Sequence, residues 1–332
     1  MVKISAMNLE VTTACPLHCP QCYCTLDYVN HLPYETALYW IKQAEINGVE
    51  SIALSGGETR CYPYLLELVG ECANRGLQVH AAFSGWEFTP EYLTLLKRHG
   101  ISSISISLNG STKEINALSR DGYVYAIRAL SILSQAKYNR TIINWVMHSN
   151  NSDDFCEMLR LAEQYNVYMI NIISFKPDRN NELNTVPTAQ QITKLVSQIF
   201  EYRGPVKIVV ESCFSPLRAV LLQTRLLGNL NNGINKGCRA GLSVVNVSVD
   251  GLLSPCRHLC HYEKWDTLEE YWNNSEILKK IRNADNFVRE PCKSCKYEPY
   301  CRHCLAINDC INNDIYIGNQ FCSLSEHQAF IG

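Results

Sequence analysis

The chain has 332 residues, 46% of them apolar, with 30 basic side chains against 32 acidic ones. That length supports one large or two ordinary domains, and a near-balanced charge without a basic block gives no footprint for nucleic acid. No apolar run approaches the roughly 20 residues of a membrane helix, and "MVKISAMNLEV" lacks a signal layout, so a cytoplasmic protein without membrane or nucleic-acid partners is expected.

From residue 4 to about 175, strand-like runs alternate with amphipathic helical stretches. The strand candidates are "ISAMNLEVT", "SIALSGGE", "QVHAAFSG", "SSISISLNG", "TIINWVMHS" and "YMINIISF". Helix patterns such as "ETALYWIKQAEING" and "YPYLLELVGECANRG" lie between them and close on Gly, a favourable C-cap. This order predicts the α/β class, with parallel strands joined by right-handed crossovers. Six units suit a partial (β/α)6 barrel of TIM type, with its chemistry at the C-terminal strand ends. Residues 1–187 are assigned to this core, closing on the polar "KPDRNNELNTVP". Residues 188–237 read as a bridging region: a helix with Thr188 and Gln191 at capping-box spacing, a strand-like "VKIVV" and a helix "LRAVLLQTRLL". Residues 238–332 form a Cys-rich section short on helix signals, where "VVNVSVDGLLSP" reads as a hairpin turning at Asp250-Gly251.

Seventeen cysteines in a reducing compartment do not suggest a disulfide framework. Scattered ones, such as Cys61, Cys72 and Cys156, read as small buried hydrophobes. The clusters call for metal. Cys15, Cys19 and Cys22 are spaced C-x3-C-x2-C just after the first strand, with Cys24 as an extra. Thiolates are the usual ligands of iron–sulfur cubanes, commonly four to a cluster. Three on one tight loop leave an iron open to a small molecule. A zinc site of three thiols and His18 is the competing reading.

Further motifs fall at the ends of later strands: "SGGET" from Ser55 to Thr59, "SISLNGSTKEINALSRDG" after the fourth strand and "HSNN" after the fifth. Together with the three cysteines they resemble the radical S-adenosylmethionine (radical SAM) enzymes. That resemblance implies a 4Fe–4S cluster on Cys15, Cys19 and Cys22, with S-adenosylmethionine chelating its open iron. It further implies reductive cleavage of the sulfonium to a 5′-deoxyadenosyl radical, which abstracts a substrate hydrogen. The implied cofactor contacts are Tyr23, Gly56, Gly57, Glu58, Ser107, Asn109, Arg120 and Asn150, the paired glycines permitting close backbone approach. Gln21 stands where the family usually has an aromatic, Thr59 where it has proline and Asn109 where Asp is commoner.

Cys238 and Cys256 are separated as C-x12-G-x4-C; "CKSCKYEPYCRHC" and Cys322 follow. This arrangement resembles the SPASM extension of radical SAM enzymes. It implies two auxiliary 4Fe–4S clusters, three in all: a distal one on Cys292, Cys295, Cys301 and Cys322, and a nearer one on Cys238, Cys256 and Cys304. The fourth position of the nearer cluster is Cys260, Cys310 or open iron. Taken alone, the C-x2-C pairs equally suit a zinc ribbon or a ferredoxin-like carrier, so a non-catalytic electron carrier is the alternative of another class.

SPASM enzymes mostly modify ribosomally made peptides and proteins. The resemblance therefore implies an oxidative crosslink in a peptide, a thioether or a carbon–carbon bond, with epimerisation or formylglycine-type oxidation as alternatives. Sulfatase-maturing members carry an aspartate where this chain has Arg257; Asp250 or Asp266 would have to substitute. Cys213, in "VVESCFSP", is a candidate hydrogen-atom donor of the kind an epimerase needs, or a small buried Cys. The implied partners are a flavodoxin- or ferredoxin-like reductant and the substrate peptide. With 14 residues before Cys15, a separate leader-binding protein is also expected, unless the catalytic face binds the peptide directly.

Overall fold

The computed structural model describes residues 3–24, 28–176, 185–224, 237–319 and 322–324. Most of the polar boundary segment at 176–187 therefore lies outside the described residues. Six βα units are present in the expected order: β1 (Ala6–Thr12), α1 (Tyr34–Ile46), β2 (Ser51–Gly56), α2 (Leu65–Asn74), β3 (Gln78–Phe83), α3 (Pro90–Arg98), β4 (Ser103–Ser107), α4 (Lys113–Ala117), α5 (Tyr123–Gln135), β5 (Thr141–Met147), α6 (Phe155–Gln164) and β6 (Met169–Ser174). Local chemistry sets these boundaries. Thr89 caps α3 through its side chain, with Pro90 in the first turn, and Gly48 ends the α1 turn at φ +66°, where a left-handed residue lets Val49 N–H reach back to Ala44 O.

The sheet continues beyond these units. The bridging region supplies α7 (Ala189–Glu201), β7 (Lys207–Val210) and α8 (Ser215–Gln223). Thr188 and Gln191 form the capping box that their spacing predicts. The C-terminal section supplies β8 (Val244–Val247) and β9 (Leu253–Ser254), then α9 (Leu268–Asn274), α10 (Glu276–Arg282) and α11 (Leu305–Asn312). These last three helices escape a periodicity reading because none exceeds eight residues; α9 and α10 are set by Thr267 and Ser275 caps. Strand order is β7-β6-β5-β4-β3-β2-β1-β8-β9. All neighbours are parallel except the β8–β9 hairpin. The sheet is thus an open barrel wall of eight parallel strands, and β1 sits well inside it. The hairpin turns as expected: Gly251, at φ +79°, donates its N–H to Ser248 O at 2.9 Å.

Alternation along the strands separates two faces. Met7, Leu9 and Val11, Ile52 and Leu54, Val79 and Ala81, and Ile104 and Ile106 are buried in the main apolar core. The opposite face carries Asn8, Glu10, Ser55, His80, Ser105, Ser107, Asn144, Asn171 and Asn246. Such short and polar side chains leave a lumen where the interior of a closed barrel would be packed with branched residues.

Candidate active site

The loop that carries the first cysteines is zipped at its base. Its entry is a β-bulge, since the β1–β2 register shifts between Glu10 and Thr12. Thr12 Oγ1 bonds to Asn30 O at 3.2 Å and pairs with His31 Nδ1 at 2.9 Å. Thr13 Oγ1 donates to Tyr28 O at 2.6 Å and accepts from Asn30 N–H at 2.8 Å. Within the loop, Cys22 N–H donates to Cys19 O, and the Cys19 and Cys22 thiols both act electrostatically on Cys15. Contact with the Cys24 thiol, with the Arg120 charge also helping, pulls the Cys22 thiol down to about 6, toward the thiolate form. Cys24 is correspondingly held far up, and its Sγ also reaches Gly56 O at 2.9 Å.

The paired glycines have a purpose that sequence did not reveal. Gly57 N–H donates to Thr12 O at 2.7 Å and Glu58 N–H to Ala14 O at 2.8 Å. A Cβ on Gly56 would stand 2.3 Å from Thr12 O, and one on Gly57 2.4 Å from Ala14 O. The close approach is therefore first to the backbone of the cysteine loop itself. Glu58 is only 2% exposed, and its carboxylate accepts Ser84 N–H at 2.7 Å and Arg60 N–H at 3.2 Å. That carboxylate ties β2 to β3; what faces the rim is backbone.

Asn109 is similarly occupied. Its amide donates to Ser119 Oγ at 2.9 Å and accepts Val146 N–H at 3.0 Å, while its carbonyl receives Trp145 Nε1 and Asn151 Nδ2. Asn151 is buried and braces β5, whereas Asn150 is exposed. Ser107 is half-buried at the end of β4 on the lumen face. Arg120 is held through its backbone by Asn116, and its buried Nε has no hydrogen-bond partner among the described residues. Tyr23 turns toward the C-terminal section: its hydroxyl accepts from Arg257 at 3.0 Å, and its ring lies 4.6 Å from that of His258.

Several polar residues that the motifs did not single out meet around this junction. The Arg257 charge acts on Glu10 and interacts with Glu211, just past β7. Burial pushes the Glu10 carboxyl up despite Arg257, and Glu10 Oε1, Ser55 Oγ and Asn246 Oδ1 are buried without partners among the described residues. Burial, reinforced by the Lys176 and Arg257 charges, keeps His258 neutral. A charged residue at an inward strand position, as in "NLEVT", or directly after a strand, as in "VVES", was the available signal. Neither Asp250, which accepts Asn30 Nδ2 at 2.8 Å, nor Asp266, whose carbonyl receives Tyr39, has a bond to this group among the described residues.

The later thiols fall into sets. Cys292, Cys295, Cys301 and Cys322 line one cavity together with Cys304 and Cys213. Cys304, Cys238 and Cys256 interact electrostatically with one another. Cys260 is exposed, and Tyr262, Glu10, Cys310 and Asp309 act on it. Cys72 is buried in the core as expected, but Cys61 stands in reach of Cys15. Among the described residues no three His, Cys, Asp or Glu side chains close on a single-ion site; a cubane takes each thiolate on a different iron, so its ligands stand wider apart.

Residues 9–162 match the model of the Radical SAM superfamily. That stretch is a radical SAM domain. The chain is 22% identical over 315 residues to an AdoMet-dependent heme synthase of Methanosarcina barkeri, covering 90% of each chain. It is 27% identical over 307 residues to a PqqA peptide cyclase of Ruegeria pomeroyi, covering 87% of this chain and 79% of the other. It shares its fold with Streptococcus suis SuiB bound to S-adenosylmethionine, at a TM-score of 0.79 and 16% identity, covering 97% of this chain and 78% of that one. SuiB has also been captured with its precursor peptide SuiA. No helix among the described residues is long and apolar enough to cross a membrane.

Members of this superfamily use a 4Fe–4S cluster and S-adenosylmethionine, and the residues present fit both. A thiolate sulfur that accepts a backbone N–H is stabilised as an anion. Here the N–H two residues on reaches Cys256 at 3.3 Å, Cys295 at 3.5 Å and Cys322 at 3.5 Å; burial raises Cys15 and Cys238, and the same contact partly offsets it there and helps to lower Cys22. The unpartnered Arg120 Nε, facing Cys22 and Glu58, is a charged donor suited to a carboxylate.

Proposed function

We propose that this enzyme modifies a peptide, installing an oxidative thioether or carbon–carbon crosslink. The observation that carries the reading is an open, polar lumen whose rim holds a three-thiol loop on one side and a second thiol trio on the other, joined through Tyr23 and Arg257. A peptide backbone needs polar partners along an open groove, which Glu10, Ser55, Asn246 and Glu211 offer. Cys15, Cys19 and Cys22 hold the first cluster, which when bound supplies the electron that cleaves S-adenosylmethionine. Arg120, Ser107 and the Gly56–Gly57 backbone orient the methionine end, while Glu58 and Asn109 brace the wall behind it. Cys238, Cys256 and Cys304 would hold one auxiliary cluster, and Cys292, Cys295, Cys301 and Cys322 another, groups that would supply an electron acceptor beside the substrate. A flavodoxin- or ferredoxin-like protein supplies the reducing electron.

Similarity to the PqqA peptide cyclase and the SuiB fold supports a peptide substrate. The second reading, a tetrapyrrole substrate, draws on the heme synthase similarity and on the cations Lys176 and Arg257, which suit carboxylates. Anaerobic protein, reduced with dithionite, is given S-adenosylmethionine with either a peptide encoded beside its gene or a carboxylated porphyrin. Formation of 5′-deoxyadenosine with loss of two hydrogens from the peptide supports crosslinking. Solvent deuterium at an α-carbon makes it an epimerase, and turnover with the porphyrin alone refutes the peptide reading.

A further inference from the structure

The spacing of the C-terminal cysteines leaves the nearer auxiliary cluster one ligand short, and three chain segments meet where that ligand is wanted. Ser215 Oγ donates to Arg302 O. Gly237 pairs with Arg302 in a parallel β-bridge, and a Cβ there would lie 2.7 Å from Arg302 O and 2.9 Å from Ser215 Oγ. Cys213 lies two residues before Ser215, Cys238 directly follows Gly237, and Cys304 lies two residues after Arg302. The stitch therefore draws these three cysteines together at the end of β7. Cys256 joins them by packing against the apolar cluster that contains Cys304, Leu259 and Leu305. Cys213 and Cys304 also line one cavity.

Charge agrees with this grouping. A cubane bound by four thiolates carries net negative charge, which a dry pocket tolerates only with cations nearby. Lys176 faces Cys213, Cys256 and Cys304, and Arg218 faces Cys213. One carboxylate also faces the group: Glu211 accepts the Cys213 S–H at 2.9 Å. Cys260, by contrast, is exposed, and Cys310 and Asp309 act on it.

We propose that Cys213, delivered by the end of β7, is the fourth ligand of the auxiliary cluster held by Cys238, Cys256 and Cys304. This assignment rests on the reading that the trio holds a cluster, and it makes Cys213 a metal ligand rather than a hydrogen-atom donor. It also means that the barrel sheet, and not the Cys-rich section alone, completes the site.

The test uses the full chain with Cys15, Cys19 and Cys22 replaced by Ala, so that only auxiliary iron is counted. Into it are placed Cys213→Ala, Cys213→Ser, Cys238→Ala as the reference, and Cys260→Ala with Cys310→Ala. Each anaerobically reconstituted protein is measured by iron and sulfide content, Mössbauer and EPR spectroscopy. Cys213→Ala should lose about one to four irons per chain or show a three-iron EPR signal, as Cys238→Ala should, while Cys260→Ala/Cys310→Ala keeps the parent spectrum. If Cys213→Ala fails to fold, Cys213→Ser decides: an oxygen ligand must shift the EPR of one cluster. Iron loss from Cys238→Ala with unchanged iron and spectra in the Cys213 variants overturns the assignment. Unchanged iron in both overturns the trio as a cluster site, and the assignment with it.

Discussion

Acid should weaken this protein through one histidine in the wall of the cofactor site. His148 is 1% exposed. Its Nδ1 accepts Asn150 N–H at 3.2 Å, so Nε2 carries the proton and meets Ser119 Oγ at 3.0 Å, the same hydroxyl that receives the Asn109 amide. Burial lowers its pKa from 6.5 to about 4. The unfolded chain therefore binds the proton more tightly, and stability present above pH 6.5 is lost as the pH falls toward 4. Those two values give a loss of roughly 2 kcal/mol between pH 8 and pH 5, and roughly 3 kcal/mol by pH 4. The assay is anaerobic denaturant unfolding across that range for the natural protein and for His148→Gln, an uncharged replacement. Comparing the two cancels the acid sensitivity that the clusters share. The natural protein should lose roughly 2 kcal/mol more than the variant by pH 5; parallel curves refute the reasoning.

Arg120→Met should weaken S-adenosylmethionine binding about 10- to 100-fold, the worth of a charge-assisted hydrogen bond of about 1.5–3 kcal/mol, measured by equilibrium binding with iron content unchanged. Gly57→Ala should displace the cysteine loop, because its Cβ meets the Ala14 carbonyl at 2.4 Å; iron on the first loop should fall and Tm with it. Serine at Cys15, Cys19 or Cys22 should abolish 5′-deoxyadenosine formation while auxiliary iron persists, read by product assay and Mössbauer spectroscopy.

Sequence carried the periodic elements. The six βα units, the strand "VKIVV", the capping box at Thr188 and Gln191 and the Asp250-Gly251 hairpin all rest on local patterns that neighbours in the chain enforce. What local pattern cannot convey is where a strand docks or where a side chain spends its hydrogen bonds. Nothing within "VVNV" says that β8 lies parallel against β1, a pairing of Ala6 with Val244. Glu58 and Asn109 sit at motif positions, yet their polar atoms are committed to Ser84, Arg60, Ser119 and Val146. Tyr23 meets Arg257, 234 residues away, a contact its place beside Cys22 does not announce. Cysteine spacing grouped most of the thiols but could not bring Cys213 beside Cys304, because that contact depends on how β7 ends.

The placement of β1 bears on how the chain is made. One neighbour of this strand, β2, emerges from the ribosome soon after it, but the other, β8, begins at Val244. Until then β1 is an edge strand, with one row of peptide groups unpaired and open to mispairing. The three-thiol loop at its tip therefore follows a strand braced on one side only, by β2, until the final quarter of the polypeptide supplies β8.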